Sequence, residues 1–154
     1  MNRRSFFQLT ALAGGGLALS LLEKPARAQQ RQGPPPLAPF AFIEILADGS
    51  VRIMSRSPEV GQGIKTSSPM LVAEELDIPW KSVKVIQADL DPKYGTQFSG
   101  GSLGTPMGWE PLRRVGATAR KLLLTAAAAE WSVPESECKT DGMGNVIHSS
   151  GKKF

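Results

Sequence analysis

From Phe40 onward, apolar and polar positions fall into blocks whose period shifts from two to nearly four and back. "FAFIEILADGSVRIMSR" alternates on both sides of Asp48-Gly49, and two alternating runs meeting at an Asp-Gly pair predict a β-hairpin. The next block, "SPEVGQGIKTSSPMLVAEEL", leads into Ile64, Leu71, Val72, Leu76 and Ile78 at intervals that suit one buried helical face. Ser67 or Ser68 is the expected cap of that helix and Pro69 its expected first-turn residue, with an end near Asp77, before Pro79. "SVKVIQA", residues 82–88, predicts a strand, and a loop rich in Gly, Ser, Thr and Pro runs from Asp89 to about Gly108. A second long helix, "EPLRRVGATARKLLLTAAAAEW", should open with Pro111 in its first turn. It offers the core a stripe of Leu112, Val115, Ala119, Leu122, Leu123 and Ala126. "VPESEC" reads as a short helical turn and "KTDGMGNVIHSSGKKF" as a second hairpin. The order hairpin, helix, strand, helix, hairpin predicts an α/β (α+β) fold, a small sheet with two main helices on one face.

The segment before this pattern has a different character. "MNRRSFFQL" carries adjacent arginines, Leu9 to Leu22 is apolar and uncharged for 14 residues, and Ala26 and Ala28 form an A-x-A site. Residues 1–28 therefore predict a twin-arginine export signal and a periplasmic protein. The triple proline of residues 29–39 predicts an extended linker, and residues 40–154 the folded domain. Arg3, Arg4, Lys24 and Arg27 against Glu23 give the signal +3 of the chain's net +4. The remainder is near neutral, with no basic stripe of the kind that binds nucleic acid.

Cys138 and His148 are the only residues of their types, which excludes an internal disulfide and a multi-cysteine or multi-histidine metal centre. The lone histidine leaves no credible Ser/His/Asp constellation. Two glycine-bearing loops precede the two helices: Gly61-Gln62-Gly63, with Glu59 placed to orient it, and "FSGGSLGTPMGW" with the hydroxyls of Ser99, Ser102 and Thr105. Backbone N–H groups at helix starts suit phosphate or another oxygen-rich anion. Neither loop matches a P-loop or a dinucleotide fingerprint, and each also reads as an ordinary turn. Glu74 and Glu75 lie mid-helix, with at least one solvated. "DLDPKYG" offers Asp89 and Asp91 either to a cation or to a turn closed by local side-chain bonds.

The motifs "EVGQGIKT", "VAEELDIPW", "QADLDPKYGTQF" and "GGSLGTP", in this order, resemble the molybdopterin-binding domain of the xanthine dehydrogenase and aldehyde oxidase superfamily. More narrowly, they are similar to the N-terminal part of the large subunits of isoquinoline 1-oxidoreductase and membrane-associated aldehyde dehydrogenases. The resemblance implies a molybdenum hydroxylase that oxidises aldehydes or N-heterocycles with oxygen from water. Gly61, Gln62 and Gly63 would lie against the molybdopterin, and Gly101, Ser102, Gly104 and Thr105 would cradle its pterin and phosphate part. The cofactor implied is the cytosine dinucleotide form, its molybdenum held by the pterin dithiolene. Expected partners are the remainder of the large subunit, a small subunit carrying 2Fe–2S clusters and a cytochrome c subunit. The catalytic glutamate of such enzymes lies outside these residues, so no catalytic or metal-ligating residue is carried over and the chain alone is expected to be inactive. The alternative reading is a non-catalytic exported binding or assembly protein derived from such a subunit.

Overall fold

The computed structural model describes Leu37 and residues 39–154. The export segment and nearly all of the linker lie outside the described residues. The hairpin forms as the alternation predicts: β1 (Ile43–Ile45) pairs antiparallel with β2 (Val51–Ser55). The Gly49 N–H donates to the Leu46 carbonyl and the Leu46 N–H to that of Ser50, both at 2.9 Å. Gly49 sits at φ 78, so glycine closes this tight turn without the steric cost of a Cβ. The Ser50 hydroxyl and N–H donate to the Asp48 carboxylate and, with Lys84 adding charge, hold its pKa down to about 2. The strand starts later than the alternation suggests. Pro39–Phe42 forms one helical turn, α1, which buries Ala41 and Phe42; the fixed φ of Pro39 suits the first helical position.

Chain continues from β2 through α2 (Ile64–Leu76) to β3 (Val83–Gln87). β3 returns parallel to β2, in register from Val51 opposite Val83 to Ser55 opposite Gln87, giving the sheet order β1-β2-β3. The helix ends as expected with Asp77 at the cap, but its start differs. Gly63 is the cap, Ser67 and Ser68 lie inside the helix, and Pro69 is an interior residue. The reason is a carboxylate upstream: Glu59 bonds the first N–H groups, so the helix begins a turn before the serines.

The second helix, α3, also begins early. It spans Gly104–Trp131, and Pro111 lies in its interior rather than its first turn. A proline there removes the N–H that would bond the carbonyl four residues back, which is that of Met107. The guanidinium of Arg56 donates to that carbonyl at 3.1 Å, so the helix passes through the proline with its acceptor satisfied.

α2 and α3 cover the inner face of the sheet around Phe42, Ile53, Val72, Leu76, Leu112 and Val115, all essentially buried. Each such side chain contributes ~1.5–3 kcal/mol of burial free energy. On α3 the buried line is Leu112, Val115, Gly116, Ala119, then Ala127 and Ala128. Leu122 and Ala126, predicted for the core, face solvent: the line of 112, 116, 119, 123 and 127 passes one position beside them. A second cluster packs Ala127 and Ala128 against Cys138 and Val146. These last come from the second predicted hairpin, β4 (Cys138–Thr140) antiparallel to β5 (Val146–His148).

Helix contact depends on Gly116. A Cβ at this position would lie 2.4 Å from the Val72 carbonyl oxygen and 2.9 Å from Cβ of Glu75. Gly116→Ala should therefore destabilise the chain by about 1–3 kcal/mol through overpacking, outweighing the ~1 kcal/mol that alanine gains in a helix. Urea unfolding read by circular dichroism checks this; an unchanged or raised midpoint contradicts the close approach.

Candidate functional site

Both glycine loops arrive at one open cleft of about 390 Å³, lined by Gln62, Ser99, Ser102, Gly104 and Thr105 with Ile64 at its apolar side. The β2–α2–β3 crossover brings the first loop there, since it leaves β2 after Ser55 and enters α2 at Ile64. The second reaches it because α3 packs alongside α2. Gly61, Gly63 and Gly101 belong to the same loops without lining the cleft. Gly104 and Thr105, read from sequence as loop residues, form the first turn of α3.

The two helix starts differ in what they leave open. At α2, Glu59 Oε1 accepts from the N–H groups of Gly61 (2.7 Å) and Gly63 (3.0 Å), and Oε2 from that of Lys65 (2.9 Å). The Lys65 N–H, followed by those of Gly63 and Gly61, holds the Glu59 pKa below the ordinary glutamate value. This helix end therefore carries an internal anion. α3 has no side-chain cap, and among the described residues the N–H groups of Gly104 and Thr105 have no acceptor. Pro106, third in the helix, has no N–H to leave unpaired. Gly101 and Ser102 both stand at φ 58, a left-handed conformation costing a non-glycine residue ~1–2 kcal/mol. The open donors of the cleft are thus at α3, beside the hydroxyls of Ser102 and Thr105.

Gln62 joins the loops. Its Oε1 accepts from the Val60 N–H (2.7 Å), and its Nε2 donates to the Pro58 carbonyl (3.0 Å) and to Ser99 Oγ (3.2 Å). Ser99 Oγ donates in turn to the same Pro58 carbonyl at 2.5 Å. Both Nε2 hydrogens are used in this way, which makes the Gln62 amide a clasp between the cleft walls, with one Oε1 lone pair to spare. None of the lining residues is ionisable, so the polar character of the cleft comes from backbone dipoles and hydroxyls.

Behind the cleft lie groups that the sequence reading did not single out. Arg56 is 6% exposed, and burial lowers its pKa from the ordinary arginine value. Gln97 accepts from the Asp91 N–H (2.8 Å) and donates to the carbonyls of Asp89 (2.8 Å) and Arg56 (3.3 Å). Gln87 donates to the Ser55 carbonyl at 3.0 Å. The signal that could have found Arg56 was Pro111, which leaves a helix carbonyl in need of a donor.

The remaining candidates have structural partners. Asp91 accepts from the Lys93 N–H at 2.9 Å, closing a turn, and no group of three or more His, Cys, Asp or Glu gathers for a metal among the described residues. Glu75 is paired with Arg113, whereas Glu74 is exposed. Cys138 is buried in the second cluster. His148 stands between Glu137 (2.9 Å) and Ser150 (2.7 Å) and also accepts from the Ser150 N–H at Nδ1, fastening the end of the second hairpin.

Comparison with known proteins adds the following. The description of the molybdopterin cofactor-binding domain matches residues 9–153. Isoquinoline 1-oxidoreductase subunit beta of Brevundimonas diminuta is 38% identical over 124 residues, covering 76% of this chain and 16% of its own length. A protein of Gluconacetobacter polyoxogenes named membrane-bound aldehyde dehydrogenase (pyrroloquinoline-quinone) is 26% identical across 100% of this chain and 20% of its own. The crystal structure of quinoline 2-oxidoreductase from Pseudomonas putida 86 superimposes with a TM-score of 0.55 at 18% identity, covering 70% of this chain and 13% of that one. The last likeness is one of fold. The chain spans a fifth or less of the length of these proteins.

Glu59 gives the cleft a pH dependence. Its folded pKa lies below the unfolded value, so its contribution is complete above the ordinary glutamate pKa of about 4.3 and is lost as pH falls through the lower folded value. An NMR titration should show the Gly61, Gly63 and Lys65 amides shifting together below the ordinary glutamate range, and Glu59→Gln should remove that shared transition. Amides that titrate independently would break the assignment.

Proposed function

The chain belongs to the molybdopterin cofactor-binding domain family, and we propose that it forms one wall of the cofactor seat in a molybdenum hydroxylase large subunit. The observation that carries this reading is the uncapped start of α3 facing the clasped first loop across one cleft. The donor set fits the anionic, oxygen-rich part of such a cofactor: the N–H groups of Gly104 and Thr105, with the hydroxyls of Ser102 and Thr105. Positive φ at Gly61, Gly63 and Gly101 shapes the loops for close backbone approach. Gln62 holds the walls together and keeps one lone pair for the ligand, while Ser99 shares the clasp.

When bound, the cofactor would supply the molybdenum chemistry that transfers water-derived oxygen to an aldehyde or N-heterocycle; the residues of this chain bind and orient it. The cytosine dinucleotide form, the remainder of the large subunit, a small subunit with 2Fe–2S clusters and a cytochrome c subunit are the proposed cofactor and partners. The reaction class is supported by two relatives' names, a subunit of an isoquinoline oxidoreductase and an aldehyde dehydrogenase. A second reading is a non-catalytic exported binding or assembly protein derived from such a subunit, with which a cleft without an ionisable lining residue is equally consistent.

Two experiments test these statements. In a complex assembled with the rest of the subunit and its iron–sulfur partner, Gln62→Ala combined with Ser102→Ala should lower molybdenum and pterin content. Each lost hydrogen bond is worth ~1 kcal/mol, roughly fivefold in binding. Unchanged loading contradicts the seat, and loading without aldehyde turnover favours the second reading. For the proposed periplasmic location, replacing Arg3 and Arg4 with lysine should leave the protein in the cytoplasm; export that continues unaffected rejects the twin-arginine route.

A further inference from the structure

Arg56 is a buried cation whose side-chain hydrogen-bond partners, among the described residues, are carbonyl oxygens alone. Nη2 donates to Met107 at 3.1 Å and Nη1 reaches Tyr94 at 3.5 Å. A carbonyl does not neutralise a guanidinium, but the planar fork fixes where the two acceptors lie. The slot it occupies is walled by glycines. A Cβ at Gly108 would stand 3.6 Å from Nη2 and 3.2 Å from Leu112 Cδ1, and one at Gly95 would stand 3.5 Å from Nη1.

The two ends of this residue reach both walls of the cleft. Its backbone follows directly on the last residue of β2, and the Pro58–Gln62 clasp begins two residues later. Its side chain holds Met107, whose N–H bonds the Leu103 carbonyl at 2.9 Å and so closes the first turn of α3. That turn carries the open donors of Gly104 and Thr105. Pro111 is what frees the Met107 carbonyl for this use, because a residue with an N–H at that position would claim it from within the helix.

We propose that Arg56 is a positioning residue for the cleft, paired with Pro111, and that its guanidinium sets the start of α3 against the first loop. The assignment rests on the cofactor reading above for its consequence and on local geometry for its mechanism, and the test separates the two. In the full chain, Arg56→Met should lower the melting temperature by ~5 °C or more, and Arg56→Lys, with a single ammonium in place of a fork, should lie between. Pro111→Ala alone should change it less. Combined with Arg56→Met, Pro111→Ala should recover most of the loss, because the restored N–H replaces the guanidinium as donor to Met107.

In the assembled complex, pterin content measured by fluorescence after oxidation should fall about tenfold or more in Arg56→Met, by analogy with the loss of one hydrogen bond to a charged group. It should rise again in the double variant. Unaltered melting in Arg56→Met, or additive losses in the double variant, overturns the pairing. Melting that recovers while pterin stays low overturns positioning and leaves charge as the role of Arg56. An unsubstituted complex that holds no pterin overturns the cofactor reading together with the cofactor half of this proposal, while the melting series still decides whether Arg56 holds α3.

Discussion

The interior proline of α3 leaves the Met107 carbonyl without its helical donor, and the packing around it is arranged to supply one. Arg56 supplies the donor from the end of a neighbouring strand. The strand, the loop at Tyr94 and the helix are thereby tied at one buried point. Removing such a group would strand a carbonyl in the interior, which costs more than the bond itself contributes. The same point lies behind the cleft, so the constraint that lets α3 run through Pro111 also fixes the wall that its first turn presents.

Much of the fold was legible because its elements obey simple periods. The hairpin at Asp48-Gly49, the strand of residues 82–88 and the order of elements follow from alternation and turn chemistry alone. The helix starts were not, and for one reason. Prolines 69 and 111 were taken as first-turn residues, the position where a proline normally costs nothing. Here the helices start further upstream: at Gly63, with the Glu59 carboxylate on the first N–H groups, for α2, and after the backbone turn of Gly101 and Ser102 for α3. The core stripe of α3 was read with Leu122 and Ala126 included, because an apolar run of leucines and alanines does not by itself say which side faces inward. Contact with Gly116 decides that.

At the cleft, the sequence showed which loops would meet but not how they divide the work. Gln62 does line the cleft, but its amide spends both donors on Pro58 and Ser99. The Gly-Gln-Gly loop is organised by its own side chains, and the open donors belong to the other helix. Such an arrangement preorganises a site without surface cations. Binding of an oxygen-rich anion there would depend on aligned dipoles close at hand and less on the salt-screened attraction that distant lysines or arginines provide.

The apolar interior is in two parts, one beneath the sheet and one around Ala127, Cys138 and Val146, and Leu123 packs against both. The second hairpin also reaches the end of α2, where the Gly142 N–H donates to Asp77 at 3.2 Å. Because α3 runs through both parts, the hairpin takes its apolar cover from the same helix that walls the cleft.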